Sequence, residues 1–146
     1  MGDMVRILLV EDNPADVYLF RKALEEAELK FELMVIRSSE AALALVRGDG
    51  EYAACSVPDL AVLDVNLPKN DGIEVLEVIR ATPRYARVPV VVTSSSPALP
   101  HRSNLDQLRI ARYITKPADL QDFLSIGATL KEVLLQSKLK RAAGHG

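Results

Sequence analysis

Residues 6–24 read RILLVEDNPADVYLFRKAL, and this stretch decides the fold class. Its first five residues, 6–10, are almost entirely apolar, which is typical of a central parallel strand covered on both faces. The run ends at Glu11 and Asp12, and Asn13-Pro14 then has the pattern of a helix N-cap followed by proline. We therefore predict a buried strand, an acidic pair and an amphipathic helix. The apolar residues that recur at helical spacing are Val17, Phe20, Leu24 and Ala27.

The rest of the chain repeats this alternation of short apolar runs and helical patterns. Four further strands are predicted, at 32–36, 60–63, 88–93 and 112–114. Four further helices are predicted, after Ser38-Ser39, from Ile73, near 104–110, and from Leu120 to Leu134 as one long final helix. A long loop is predicted at 48–57. Five strands and five helices indicate an α/β fold, a doubly wound five-stranded parallel sheet in the flavodoxin-like order 2-1-3-4-5.

The composition agrees with one compact domain. The chain has 146 residues, of which 49% are hydrophobic and 26% charged. We find no internal repeat and expect a domain over residues 1–137, followed by a short basic tail over 138–146 that carries Lys138, Lys140 and Arg141.

Charge and cysteine usage exclude several classes of partner. Lys and Arg total 18 against 20 Asp and Glu, so the net charge of −2 offers no broad positive field for direct nucleic-acid binding. The single Cys55 allows no internal disulfide, and no Cys/His cluster has zinc-site spacing. No apolar run is long enough for a bilayer, which argues against a membrane partner. We expect a cytoplasmic protein.

Polar residues follow the predicted strands at their carboxyl ends, where ligands bind in open α/β sheets. They are Glu11, Asp12, Asp64, Ser94 and Lys116. Three neighbouring carboxylates repel one another, since at about 4 Å and an effective dielectric near 20 each pair costs on the order of 4 kcal/mol. Positive charge is therefore needed, and Lys116 supplies one unit of it.

A hard divalent cation accounts for the remaining charge, because an all-oxygen set with few protein ligands suits Mg²⁺. We expect Asp12 and Asp64 to be direct ligands, Glu11 to bind through water, and the backbone carbonyl of Asn66 to complete the protein's share. A coordination position open to a phosphoryl oxygen would equip this site for in-line phosphoryl transfer, in which a carboxylate is an accepted nucleophile.

Four segments in fixed order resemble the receiver domain of two-component response regulators. They are ILLVEDN at 7–13, DVNLPKNDG at 64–72, VVTS at 91–94 and YITKP at 113–117. The resemblance covers nearly the whole chain and implies a protein that accepts a phosphoryl group from the phosphohistidine of a sensor kinase. The segment EDNPADVYLFRKAL and the long loop before the third strand further resemble stand-alone receivers that pair with phytochrome-type sensor kinases.

The resemblance implies a role for each site residue. Asp64 would be the phosphoacceptor, Glu11 and Asp12 the metal-binding acids, and Lys116 the cation that binds the acyl phosphate. Glu11 stands where Asp is more usual, which lengthens the reach to the metal. Pro117 would follow a cis peptide bond.

The resemblance also implies a switch. Ser94, rather than Thr93, would be the switch hydroxyl, and Tyr113 the aromatic switch residue. Asn66 and Ser96 offer no carboxylate or base to align an attacking water, so we expect slow self-dephosphorylation. The predicted helix at 104–110, the fifth strand and the final helix would form the output surface, which acts on an unknown downstream protein and allows a homodimer without requiring one.

Other functions fit the sequence less well. An aspartate-nucleophile phosphatase of the haloacid dehalogenase type needs a second acid two residues after its nucleophile, where this chain has Asn66. A flavodoxin-like cofactor binder needs a phosphate loop that Glu11 and Asp12 would repel. We therefore expect a phosphoacceptor and not an enzyme, with a phosphorylation-independent adaptor or a phosphorelay intermediate as the alternatives.

Overall fold

A computed structural model describes residues 4–67, 72–95 and 107–143. Its five parallel strands form one sheet in the order β2-β1-β3-β4-β5, which confirms the predicted fold class and strand order. In chain order, the strands are β1 (Val5–Val10), β2 (Phe31–Ile36), β3 (Leu60–Asp64), β4 (Val90–Ser94) and β5 (Arg112–Thr115).

Helices cover both faces of the sheet. In chain order, those in the described residues are α1 (Pro14–Glu26), α2 (Ser39–Arg47), α3 (Gly72–Ala81), α4 (Leu120–Leu124) and α5 (Ile126–Ala143). The loop predicted at 48–57 contains one short 3₁₀ turn, Gly50–Tyr52. Among the described helices, none combines the length and the apolar character needed to cross a bilayer.

The final helix, which the sequence predicted as a single one, is interrupted at one residue, Ser125, where α4 joins α5. α4 ends at Leu124, and the Oγ of the following residue, Ser125, donates a hydrogen bond of 2.7 Å to the carbonyl oxygen of Asp122. A serine hydroxyl that bonds back to the preceding turn competes with the backbone hydrogen bonds of the helix. α5 then continues to Ala143, so the basic residues predicted as a tail are helical up to that point.

Strand β4 begins two residues later than predicted. The amide of Val88 donates to the carbonyl of Tyr85 in a turn, at 3.0 Å, and is therefore not available to the sheet. Pro89 has no amide donor, although its carbonyl accepts a bond from Ala61. Regular pairing consequently starts at Val90.

The helix predicted at 104–110 lies partly outside the described residues, which exclude 104–106. Of its described part, Gln107 is helical, while Leu108 and Arg109 form a turn. Residues 68–71 of the DVNLPKNDG segment also lie outside the described ranges.

Two hydrophobic cores occupy the two faces of the sheet, because successive side chains of a strand point to opposite sides. Leu8 and Val10 of β1 pack under α2 and α3, whereas Ile7 and Leu9 pack under α1, α4 and α5. Every residue of β3 is buried, as expected for a strand covered on both faces. The carboxyl end of β3, where Asp64 lies, is therefore held firmly at the middle of the sheet.

Candidate functional site

The parallel topology brings the predicted polar residues to one edge of the sheet. β1 pairs with β3, and β3 pairs with β4 so that Asp64 lies opposite Thr93. Ser94 at the end of β4 lies opposite Thr115, one residue before Lys116. Residues far apart in the sequence thus meet beyond the carboxyl ends of the neighbouring strands β1, β3, β4 and β5.

Three carboxylates form a compact cluster at this edge. One oxygen from each of Glu11, Asp12 and Asp64 lies within 4.8 Å of the other two. Glu11 and Asp64 are buried, and Asp12 is more open to solvent. An all-oxygen set of this size, open on one side, fits a hard divalent cation that keeps several waters. The Asn66 carbonyl stays a predicted ligand.

Lys116 contacts the cluster directly and leaves 11% of its side chain exposed. Its Nζ donates hydrogen bonds to Glu11 Oε1 at 2.6 Å, to Asp16 Oδ2 at 2.8 Å and to Asp64 Oδ2 at 3.1 Å. Asp16 was not among the predicted site residues. Its position in the first turn of α1, directly behind the acidic pair, is the sequence signal that would have found it.

Burial and ion pairing shift two pKa values in this cluster. Burial raises the pKa of Glu11 to about 7, against the opposing effect of its hydrogen bond to Lys116. Burial alone would lower the pKa of Lys116, but the hydrogen bonds to Asp16 and Glu11, together with the nearby charges of Glu11 and Asp64, raise it overall. Lys116 therefore keeps its positive charge at neutral pH, whereas Glu11 titrates near neutral pH.

The backbone orients both buried carboxylates. Asp64 Oδ1 accepts a hydrogen bond of 2.8 Å from the amide of Asn66, and Glu11 Oε2 accepts one of 3.2 Å from the amide of Asn13. The first residue of α3, Gly72, packs against the backbone of Asp64 so closely that a Cβ there would lie 2.3 Å from the Asp64 carbonyl oxygen. Asn66 after β3 and Gly72 at the start of α3 thus both contact Asp64.

The side chain of Asn66 links this loop to the end of β4. Its Oδ1 accepts hydrogen bonds of 3.0 Å from Ser94 Oγ and of 3.0 Å from the amide of Ser95. Thr93 is placed differently, because its hydroxyl contacts the carbonyl oxygen of Leu63 inside the sheet, at 3.5 Å. The hydroxyl of Ser94 therefore lies at the loop that follows Asp64.

Two further residues singled out from the sequence lie in the described part of this region. Tyr113 is half-buried on β5 and packs against the core under α2 and α3. The bond between Lys116 and Pro117 is trans, so the expected cis peptide is wrong. With this trans bond, the Lys116 amide donates to the Ser94 carbonyl at 2.7 Å and its side chain still reaches the carboxylates. Ser96 lies outside the described residues.

Known proteins are similar to this chain in sequence and in fold. Residues 7–126 match the family model described as the response regulator receiver domain. Response regulator Rcp1 from Synechocystis sp. is 36% identical over 137 residues, which cover 94% of this chain and 93% of Rcp1.

Solved structures agree with the family match. The phosphorylated cyanobacterial phytochrome response regulator RcpA is 41% identical, with a TM-score of 0.83 over 91% of this chain and 95% of RcpA. The Mn²⁺-bound form of Rcp1 is 36% identical, with a TM-score of 0.78 over 87% of this chain and 91% of that one. The match in sequence, strand order and acidic cluster shows that the chain belongs to the family of response regulator receiver domains.

Proposed function

We propose that this chain is a phosphorylation-dependent signalling switch that accepts a phosphoryl group from the phosphohistidine of a sensor kinase onto Asp64. One observation carries the proposal. The carboxylate of Asp64 belongs to a cluster that can hold a metal ion, and its Oδ2 also accepts a hydrogen bond from Lys116. A carboxylate placed between a cation site and an ammonium group is positioned to share both with an incoming phosphoryl group.

The transfer needs few protein groups. An oxygen of Asp64 attacks phosphorus in line with the phosphorus–nitrogen bond of phosphohistidine, which breaks and leaves its electron pair on the imidazole. Asp12, Asp64, the Asn66 carbonyl and, through water, Glu11 would hold Mg²⁺, which would supply positive charge for the phosphoryl oxygens. Lys116 supplies the remaining positive charge and binds the acyl phosphate.

Ser94 and Tyr113 form the proposed switch. Phosphorylation adds acceptor oxygens beside Ser94, whose hydroxyl is bonded to Asn66 in the unphosphorylated chain. Charge-assisted hydrogen bonds contribute about 1.5–3 kcal/mol each, so two new ones approach the roughly 5.5 kcal/mol that moves an equilibrium from 1:99 to 99:1. The movement of Ser94 leaves space that Tyr113 enters. The output surface predicted at residues 104–110, β5 and the final helix would thereby change.

The partners follow from this role. We assign the phosphodonor to a sensor kinase of the phytochrome type, because the similar protein RcpA is described as a phytochrome response regulator in its phosphorylated form. The output is a contact with a downstream protein in the cytoplasm. The chain itself would carry out only phosphoryl acceptance and slow self-dephosphorylation, since Asn66 provides no base for water.

Incubation with acetyl phosphate and Mg²⁺, followed by intact-mass measurement, tests the proposal. The wild type should gain about 80 Da, the mass of one phosphoryl group, and Asp64→Asn should gain nothing. Asp49→Asn is the matched control, because Asp49 is exposed and lies on the loop after α2. Equal labelling of the wild type and Asp64→Asn would remove Asp64 from its role. No labelling of either would favour a phosphorylation-independent adaptor.

A further inference from the structure

Asp16 contacts Lys116, yet the proposed chemistry assigns it nothing. It lies in the first turn of α1, which Asn13 caps and Pro14 begins. An acid at this position ordinarily complements the partial positive charge of a helix N-terminus. Here its carboxylate instead reaches across to an ammonium group 100 positions further along the chain, at 2.8 Å.

The hydrogen-bonding capacity of Lys116 is filled by three carboxylates. An ammonium group has three protons, and the three acceptors lie at 2.6 Å (Glu11), 2.8 Å (Asp16) and 3.1 Å (Asp64). A phosphoryl oxygen that binds Lys116 must therefore share or displace one of these bonds. When the phosphoryl group is attached to Asp64, the carboxylate becomes an acyl phosphate. Of the three hydrogen bonds of Lys116, this weakens only the longest, the one to Asp64.

Asp16 is the partner best able to release Lys116. Its side chain is 20% exposed, against 1% for Glu11. Glu11 is also held by the amide of Asn13 and belongs to the acidic cluster. Phosphorylation replaces one negative charge on Asp64 with about two, so the charge of Asp16 opposes the product while its hydrogen bond occupies the cation that the product needs.

We propose that Asp16 is a positioning residue that competes with the phosphoryl group for Lys116 and so sets how readily Asp64 is phosphorylated. This inference rests on the proposed function. Removing the charge of Asp16 frees Lys116 for the phosphoryl oxygens. An amide at the same position still accepts a hydrogen bond, so Asp16→Asn changes the charge with little change of shape.

The test is the concentration of acetyl phosphate that labels half of the protein in the presence of Mg²⁺. We expect Asp16→Asn to lower this half-labelling concentration by about three- to tenfold. The size of the effect is set by the removal of one unit charge from a partly exposed site. Asp16→Glu restores the charge and should stay within about twofold of the wild type. Glu26→Gln, an exposed residue near the end of the same helix, makes the same charge change away from the site and should have no effect.

A second comparison tests whether Asp16 acts through Lys116. In a Lys116→Met background, Asp16→Asn should produce no further change in labelling. A change as large as in the wild type would overturn the inference, as would an Asp16→Asn variant that needs as much acetyl phosphate as the wild type, or more. If Lys116→Met is not labelled, Asp16→Glu in the otherwise unchanged chain decides the question. Labelling within about twofold of the wild type supports the inference, and labelling as easy as that of Asp16→Asn overturns it. An unlabelled wild type would instead contradict the proposed function itself.

Discussion

The affinity for Mg²⁺ should depend steeply on pH because Glu11 has a pKa of about 7 in the folded chain. Burial disfavours the ionised carboxylate, and a divalent cation favours it, so metal and proton compete for the same group. For a pKa near 7, proton competition weakens the apparent affinity by about tenfold between about pH 8 and about pH 6. A carboxyl group with an ordinary pKa would change the apparent affinity for Mg²⁺ by only a few per cent over the same pH interval.

Isothermal titration calorimetry with MgCl₂, in two buffers of different ionisation enthalpy, measures both the affinity and the protons released. We expect close to one proton per ion at about pH 6 and almost none at about pH 8. Glu11→Gln should bind the metal more weakly and lose this pH dependence. His101 and His145 are the histidines whose ordinary pKa lies in this range, so the double variant His101→Gln/His145→Gln is the control and should keep it.

The same shift predicts how stability changes without metal. A pKa raised from 4.5 to about 7 means that the folded chain binds more protons than the unfolded chain between these values. The contribution of Glu11 to stability is therefore fully present below about pH 4.5 and is lost as the pH rises through about 7.

In the calorimetric titration, an affinity for Mg²⁺ that is equal at about pH 6 and about pH 8, with no proton released, would refute the assignment of a perturbed carboxyl to the metal site.

Two other predictions concern contacts that position the site and the helices. Asn66→Ala removes the acceptor from Ser94 Oγ and from the Ser95 amide, so hydrogen exchange at Ser95 should rise by about fivefold, the equivalent of one lost hydrogen bond. Gly127→Ala should lower the free energy of unfolding in urea by about 3 kcal/mol or more, since a Cβ there would lie 1.9 Å from the carbonyl oxygen of Ala23 in α1.

Matched variants separate these effects from general damage. Asn66→Asp keeps the acceptor oxygen and should leave the exchange of Ser95 unchanged. Ala128→Gly lies on the exposed side of α5 and should cost only about 1 kcal/mol, the difference in helix propensity. Unchanged exchange in Asn66→Ala, or a Gly127→Ala variant as stable as the wild type, would contradict the packing described above.

The fold was predictable because its signals are local. Each buried strand is a short apolar run, and the edge of the sheet that gathers functional groups follows from the parallel order. Asp64 ends such a run and Lys116 follows the short strand β5, so the parallel order predicts that they meet at one edge of the sheet. The division at Ser125 was not predictable, since it depends on whether one hydroxyl bonds back to the preceding turn.

The contacts of Asp16 and Arg80 could not be predicted from the sequence, and the physical reason is the same for both. Both have ordinary local explanations, Asp16 as a first-turn acid and Arg80 as a basic residue near the end of α3, and their real partners are distant. Arg80 is half-buried, and its guanidinium donates to four carbonyl oxygens, those of Ala86, Val88, Leu108 and Arg109. These bonds tie the end of α3 to the turn before β4 and to the segment before β5.

This tie bears on the proposed switch. The segment before β5 belongs to the proposed output surface, and Arg80 fixes its described end at Leu108 and Arg109 to a helix that starts at the Asp64 loop. A guanidinium can hold several carbonyls at once because its donors form a rigid planar fork. A displacement at Ser94 would therefore move the carboxyl end of β4, while Arg80 holds Val88 before β4 and residues 108–109 before β5 in place.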